Sequence, residues 1–341
     1  MPDNSVIIKS GVCLRRNYDD YLFVNRMNDA QRLNVSDRME ELLLSELVHE
    51  EYSGKEMVRL STDYDKYQSF NQLIDEAAFK GPKENGTGCC VFIPNAEDRI
   101  HITAFCVDHV RISAIYNGAE LRQAHKDACE IERCLSKNHP FAFDKNWGYL
   151  SANTSMTGNG MTGMCLLHLW GLNRSDKMEE ITREAVKGAM EIKPMLDADE
   201  SDNELYCLTT RIQLGKRPVD ILDELQEMAE RFSQREIEAR RELIYDDTDA
   251  YADDTLRAIG LLQTARLMSF AELLELYSDV RAGLNESLLQ GDITSLDKLV
   301  SDLSDYSIAQ QYKDLSERDL ELIRAEKLRR VIPKLITCKM I

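Results

Sequence analysis

The chain has no apolar run approaching the roughly 20 residues that span a bilayer. Its start, "MPDNSVIIKSGVCLRRNY", lacks the apolar core of a secretory signal. Neither a membrane nor the exterior is therefore expected, and the cytoplasm is the expected compartment. Positive charge is scarce as well: 42 Lys and Arg stand against 60 Asp and Glu, a formal net charge of −18. Such a surface repels nucleic acid and anionic lipid, which excludes both as expected partners. It also disfavours any polyanion unless basic side chains converge locally. Metal-ligand spacing is missing too. The nine cysteines are scattered from Cys13 to Cys338, neither Cys89–Cys90 nor Cys129…Cys134 has a second pair at zinc spacing, and the six histidines are dispersed. No metal site is expected, and the thiols read as reduced.

What is present suffices for a large core. With 341 residues, 43% of them apolar and 30% charged, the chain has an ordinary globular composition and room for two domains. The segment "SDRMEELLLSELVHE" (36–50) opens on a Ser/Asp cap and sets Met39, Leu42, Leu43 and Leu47 on one face, which predicts a helix. "QSFNQLIDEAAFK" predicts a second, making a helical portion of about residues 30–80. The period then changes. "GCCVFIP", "RIHITAFCV" and "HVRISAIY" are short β-branched runs that predict consecutive antiparallel strands. "GAELRQAHKDACEIERCLSK" and "SDKMEEITREAVKGAMEI" return to helical spacing, "ELYCLTTRIQLG" reads as strand, and Pro218 opens a long helix. From about residue 249 the pattern is helical throughout. The acidic segment "YDDTDAYADD" divides an α+β domain (1–247), with an antiparallel sheet flanked by helices, from a helical C-terminal domain (248–341). Apolar stripes in the latter, Leu256, Ile259 and Leu262, then Phe270, Leu273, Leu274 and Tyr277, predict a partner surface.

One stretch looks like a phosphate-wrapping loop. "GYLSANTSMTGNGMTGMCLLHLWGL" (148–172) joins small and hydroxylated residues to an apolar segment, yet contains no Lys or Arg. Gly158 and Gly160 are expected where φ is positive or backbones meet closely.

The order of segments resembles the bacterial protein-arginine kinases of the ATP:guanido phosphotransferase superfamily. "HPFAFDKNWGYLSANTSMTGNGMTGMCLLHLWGL" is similar to the family's loop segment, and "SVIIKSGVCLRRN" stands where the family has an SxRxR strand. "VDHVRISAIYNG", "RIQLGKRPVDILDELQEMAERFSQREIEARREL", "YSDVRAGL" and "QQYKDLSERDLELIRAEKLR" extend the likeness to nearly the whole chain. The resemblance implies transfer of a γ-phosphoryl group between ATP–Mg²⁺ and a guanidinium, chemistry that depends on arginines around the phosphates and on paired carboxylates.

The positions that would carry this chemistry are largely replaced. Gly11 and Cys13 stand for the two strand arginines, Cys106 and Val107 for the paired glutamates, Asn153 for the thiol, and Thr162 for the loop arginine. The last glycine- and arginine-bearing motif is replaced by "IKPMLDADESD", with only Asp197 or Glu200 as acids. Losing four charged contacts to phosphate forfeits roughly 6–12 kcal/mol. Rewiring would require Arg15, Arg16, Lys193 or Arg211 to converge. Arg15 and Arg16 read as pointing from other positions of the strand. The resemblance leaves Arg111, Thr162, Gly163 and Met164 as residual nucleotide-binding residues and assigns no catalytic residue. Asp108 and His109 read as a pair fixing a turn, and His168 as a core histidine. In the C-terminal helix, Arg318 and Asp319 match half of the family's phosphoarginine pocket, and Arg324 is out of phase by one residue.

The expectation is thus a catalytically impaired kinase-like protein with no cofactor, acting as a regulatory or scaffold subunit. The family implies a homodimer, or a heterodimer with an active arginine kinase, near an AAA+ unfoldase–protease and a small zinc-binding activator. The alternative is an active, divergent kinase that uses ATP with Mg²⁺ on arginine in proteins.

Overall fold

Two families of hydrophobic contact, one on each face of a single sheet, organise the chain in the computed structural model. It describes residues 6–46, 58–60, 69–79, 90–93, 99–105, 107–196, 204–211, 214–312 and 315–338. In order come β1 (Ile7–Arg16), α1 (Asp29–Glu46), β2 (Val58–Leu60), α2 (Phe70–Phe79), β3 (Cys90–Ile93), β4 (Ile100–Ala104), β5 (Val110–Asn117) and α3 (Leu121–Leu135). A small ribbon, β6 (Phe143–Asp144) and β7 (Gly148–Tyr149), precedes β8 (Met161–His168), α4 (Trp170–Arg174), α5 (Met178–Lys187), β9 (Met190–Pro194) and β10 (Leu205–Thr210). The rest is α6 (Pro218–Asp246), α7 (Thr248–Thr264), α8 (Phe270–Asn285), β11 (Leu289–Gly291), α9 (Ile293–Asp302), α10 (Asp305–Ala309), α11 (Glu317–Leu335) and β12 (Ile336–Cys338).

The main sheet has eight strands in the order β2-β3-β4-β5-β1-β8-β10-β9. Every pairing is antiparallel. Residue parity decides which core each strand residue joins. Val12, Leu14, Ile112 and Leu167 pack with Met39 of α1, Ile131 of α3 and Leu225 of α6. Cys13, Ile115, Met164, Leu166 and Cys207 face the other way, against Phe70 and Ile74 of α2 and against α7, α8 and α11. The expected stripe residues Ile259, Leu262, Leu273, Leu274 and Tyr277 are buried in this second core, while Leu256 remains exposed. Most of both stripes is therefore buried within the chain, and Phe270 is half-buried.

Three local expectations change. Helix α1 begins at Asp29, well before Ser36, because Asn28 and Gln31 cap each other: the Gln31 N–H donates to Asn28 Oδ1 (2.9 Å) and the Asn28 N–H to Gln31 Oε1 (3.1 Å). Leu47 lies outside the described residues. The segment "KGAMEI" leaves the helix at Lys187, Ala189 takes φ +54°, and the chain continues as β9. "YDDTDAYADD" is helical on both sides of one residue, Asp247, whose side chain accepts from the Ala250 N–H and starts α7. The C-terminal region also carries the ribbon β11–β12 beside its helices.

Where the sheet meets the helices, charge is buried in matched sets. The Glu236 carboxylate accepts the N–H groups of Gly171 (2.8 Å) and Leu172 (2.9 Å) and pairs with Arg240 Nη2 at 2.9 Å. His168, fully buried as expected, places Nε2 2.7 Å from Ser278 Oγ. Burial, with Arg281, Arg240 and Arg174 around it, holds this imidazole well below its ordinary 6.5. A histidine depressed in the folded state contributes stability above its unfolded pKa and loses it as pH falls, because only the unfolded chain takes up the proton. Below about pH 6.5 the His168 share should fall by about 1.4 kcal/mol per pH unit. Urea midpoints at about pH 7.5 and 5.5 measure this; the wild-type decline should shrink in His168→Gln, and an equal decline in both would refute the assignment.

Candidate functional site

Pairing of the central strands gathers the polar residues of one face. Arg15 on β1 is opposite Arg111 on β5, and Cys13 is opposite Thr162 on β8. Side chains alternate across a strand, so these four share the face of the second core. Arg15 Nη1 lies 3.4 Å from Thr162 Oγ1 and 4.0 Å from Met156 Sδ. Helix α2 crosses this face and carries Asp75, whose carboxylate forms an ion pair with Arg111; both side chains are buried. Asp75 thereby sets a buried carboxylate against the guanidinium of Arg111. Burial pushes the Cys13 thiol up, with Arg15 and Arg111 pulling against it, so a neutral thiol stands at this position.

Sequence reasoning placed Arg15 off this face, and the structure corrects that: Arg15 has the parity of Gly11 and Cys13 and joins Thr162 and Arg111. Counting by two along the strand was the signal available. The other three candidate cations do not converge. Arg16 points to the opposite side, bonded to Glu132 at 2.6 Å and stacked 3.6 Å from the Tyr149 ring centre. Lys193 and Arg211 are both paired with Glu191 at the sheet edge.

Of the remaining expected residues, Gly163 donates its N–H to Thr210 Oγ1 (2.9 Å), and a Cβ there would meet Leu225 and Leu222. Met164 is fully buried in the core. Both serve packing. At Gly11 a Cβ would lie 2.6 Å from the Ala114 carbonyl oxygen, so the close approach of β5 leaves no room for a side chain. Asp108 and His109 fix the neighbouring loops as expected. Asp108 accepts from Asn17 Nδ2 (2.6 Å), Ser151 Oγ (2.8 Å) and the Ala152 N–H (3.2 Å), and His109 Nδ1 accepts from the Tyr18 N–H (3.0 Å). Burial holds the His109 imidazole low. Cys106, Asp197 and Glu200 lie outside the described residues.

The loop "SANTSMTGNGMTGM" acts through its backbone. The Arg15 N–H donates to the Gly160 carbonyl (2.8 Å), Gly160 has φ +59°, and a Cβ on it would meet Arg16 Nη1 at 2.5 Å and Arg15 O at 2.9 Å. Gly160→Ala should therefore lose at least about 1 kcal/mol, read as a drop in urea midpoint at constant slope; an unchanged midpoint would refute it. In the C-terminal helix, Asp319 closes a capping box with Ser316 and Arg318 is exposed. Arg324 is buried, donating to the carbonyls of Leu303 (2.9 Å) and Met268 (2.7 Å) and pairing with Asp305. Asp319 thus starts the helix and Arg324 docks it.

A nucleoside triphosphate needs several cations converging on its phosphates and room on the sheet. Among the described residues of this face, Arg111 is paired with Asp75, and Met164 and Leu166 are fully buried in the second core. Among the described residues no group of three His, Cys, Asp or Glu is placed to hold a metal ion, and no helix is long and apolar enough to cross a membrane.

Comparison with known proteins agrees with this architecture. The ATP:guanido phosphotransferase C-terminal catalytic domain family matches residues 26–239, and the protein-arginine kinase McsB C-terminal domain matches residues 248–338. Protein-arginine kinases of Bacillus cereus (strain AH820) and Bacillus anthracis are each 23% identical over 314 residues, covering 91% of this chain and 87% of theirs. Among solved structures, lombricine kinase superposes with a TM-score of 0.52 at 17% identity, over 69% of this chain and 67% of that one. The duplicated taurocyamine kinase from Schistosoma mansoni with bound transition state analog components gives 0.53 at 20% identity, over 68% of this chain. This chain covers 33% of that duplicated protein's length.

Proposed function

We propose, on the premise that this chain belongs to the ATP:guanido phosphotransferase family, that it is a catalytically impaired member acting by binding, as a regulatory or scaffold subunit. One observation carries the reading. The sheet face that bears Arg111 and Thr162 is closed by α2, whose Asp75 neutralises Arg111 while Phe70 and Ile74 pack against the strands. Gly11, Cys13, Asn153 and Thr162, standing where the resemblance places charge or a thiol, support it from the sequence. Homodimers, or heterodimers with an active arginine kinase, belong to this proposal, as do an AAA+ unfoldase–protease and a small zinc-binding activator as partners in protein quality control.

Arg15 beside Thr162 favours the alternative, an active kinase with a rebuilt phosphate site that uses ATP and Mg²⁺. One experiment separates them. The full chain is incubated with ATP–Mg²⁺ and an arginine-rich protein, phosphoarginine is sought by mass spectrometry, and ATP–Mg²⁺ and ADP–Mg²⁺ are titrated calorimetrically. No phosphoarginine is expected. Its formation, abolished by Arg15→Ala or Arg111→Ala, would establish the alternative.

A further inference from the structure

We propose that the groove between α3, the β6–β7 ribbon and the loop before α6 binds a small, uncharged, planar heteroaromatic molecule. Its floor includes Leu14 and Met161, which belong to the core opposite Cys13 and Met164. The groove is therefore on the other side of the sheet from the phosphate-type face, and the inference does not depend on how that face is read.

The volume, about 500 Å³, falls in the range of small-molecule pockets, about 300–1,000 Å³. Its walls are aromatic and held in place. Phe143 and Trp147 are 61% and 59% exposed, unusual for such large rings, and Leu214 beside them is 50% exposed. The Asp144 carboxylate accepts the N–H groups of Asn146 (2.7 Å) and Trp147 (3.1 Å), fixing the turn that presents the indole. Phe143 meets Tyr149 edge-on at 5.2 Å, and Tyr149 lies under the Arg16 guanidinium. Rings held this way offer flat faces for stacking.

Charge and hydrogen bonding narrow the ligand. Arg16 is matched by Glu132 and Lys216 by Glu224, and burial holds the His125 imidazole below its ordinary range. No net charge is left to receive an ionic group, which argues for an uncharged ligand. Asn159, also in the groove, accepts the Met161 N–H on Oδ1 (2.9 Å), which fixes its amide orientation. Its Nδ2 is buried with no partner among the described residues. A buried amide donor without an acceptor calls for one, and a ring nitrogen or ring carbonyl of a stacked heterocycle supplies it in plane.

The test uses the full chain and its own fluorescence, since of its two tryptophans Trp147 is exposed and Trp170 is buried. Adenosine and caffeine, both uncharged and planar with ring acceptors, are titrated separately. Saturable quenching is expected with at least one of them. Trp147→Phe should abolish the quenching. Asn159→Asp, which keeps Oδ1 for Met161 but removes the donor, should raise the half-saturation concentration at least tenfold. No saturable quenching by either probe up to about 10 mM, quenching that survives Trp147→Phe, or equal affinity in Asn159→Asp overturns the proposal. Should Asn159→Asp fail to fold, calorimetry on Trp147→Ala decides: retained heat of binding overturns the site, and its loss supports it.

Discussion

Glu236→Ala is expected to destabilise the chain by about 3–5 kcal/mol or more, the largest effect foreseen for a single side chain. Glu236 and Arg240 are both buried, and removing the carboxylate leaves a guanidinium in the interior with one distant acid, Glu286 at 3.6 Å. The N–H groups of Gly171 and Leu172 lose their acceptor in the same stroke, at about 1–3 kcal/mol each when buried. Gly171 itself cannot shift to compensate, since a Cβ there would lie 2.4 Å from the Arg240 nitrogen, so closely do α4 and α6 approach. Against a total stability of about 5–15 kcal/mol, most of the folded population is at risk. Urea unfolding of Glu236→Ala beside Glu236→Gln tests this. The amide retains an acceptor for one of the two N–H groups and should lose less; a loss below about 1 kcal/mol in the alanine variant would mean the cluster is not what joins α4 to α6.

The second large effect is at Asp75. Asp75→Ala strands Arg111 without its buried carboxylate, and about 3–5 kcal/mol should be lost. Asp75→Leu combined with Arg111→Met removes both charges and should recover most of that, because a well-packed apolar pair often equals a buried ion pair. Asp75→Ala also raises the net positive charge beside Arg15 by one. Tripolyphosphate should then stabilise Asp75→Ala by about 1.4 kcal/mol for each tenfold excess over its dissociation constant, and should leave the wild type unmoved in the same thermal-shift experiment. Equal responses in the two proteins would show that Asp75 does not control the charge on this face.

The sheet's central strands were legible because β-branched runs, parity and turn residues agree locally, as in Val110–Asn117. The loop at 150–163 was legible for a similar reason, with Gly160 taking the positive φ its sequence context suggested. Helix starts were less so: Ser36–Asp37 looks like a cap, yet Asn28 and Gln31 close a reciprocal pair earlier, and two caps cannot both begin one helix. The Asp75–Arg111 pair was invisible, because no periodicity links two residues 36 apart on different elements. Neither the aromatic groove nor the fate of the C-terminal stripes could be read from the chain. Both depend on which faces meet, and a stripe records only that an apolar neighbour exists.

The second core has a consequence for the order in which the protein is made. Ile115, Met164, Leu166 and Cys207 share one core with residues of helices α7, α8 and α11, all C-terminal to residue 247. A ribosome adding about 5–20 residues per second needs roughly 5–20 s to complete residues 248–341. Through that interval the sheet has been synthesised but its second face has only α2 upon it. The nascent chain thus carries a sheet face covered by α2 alone until α11 leaves the exit tunnel.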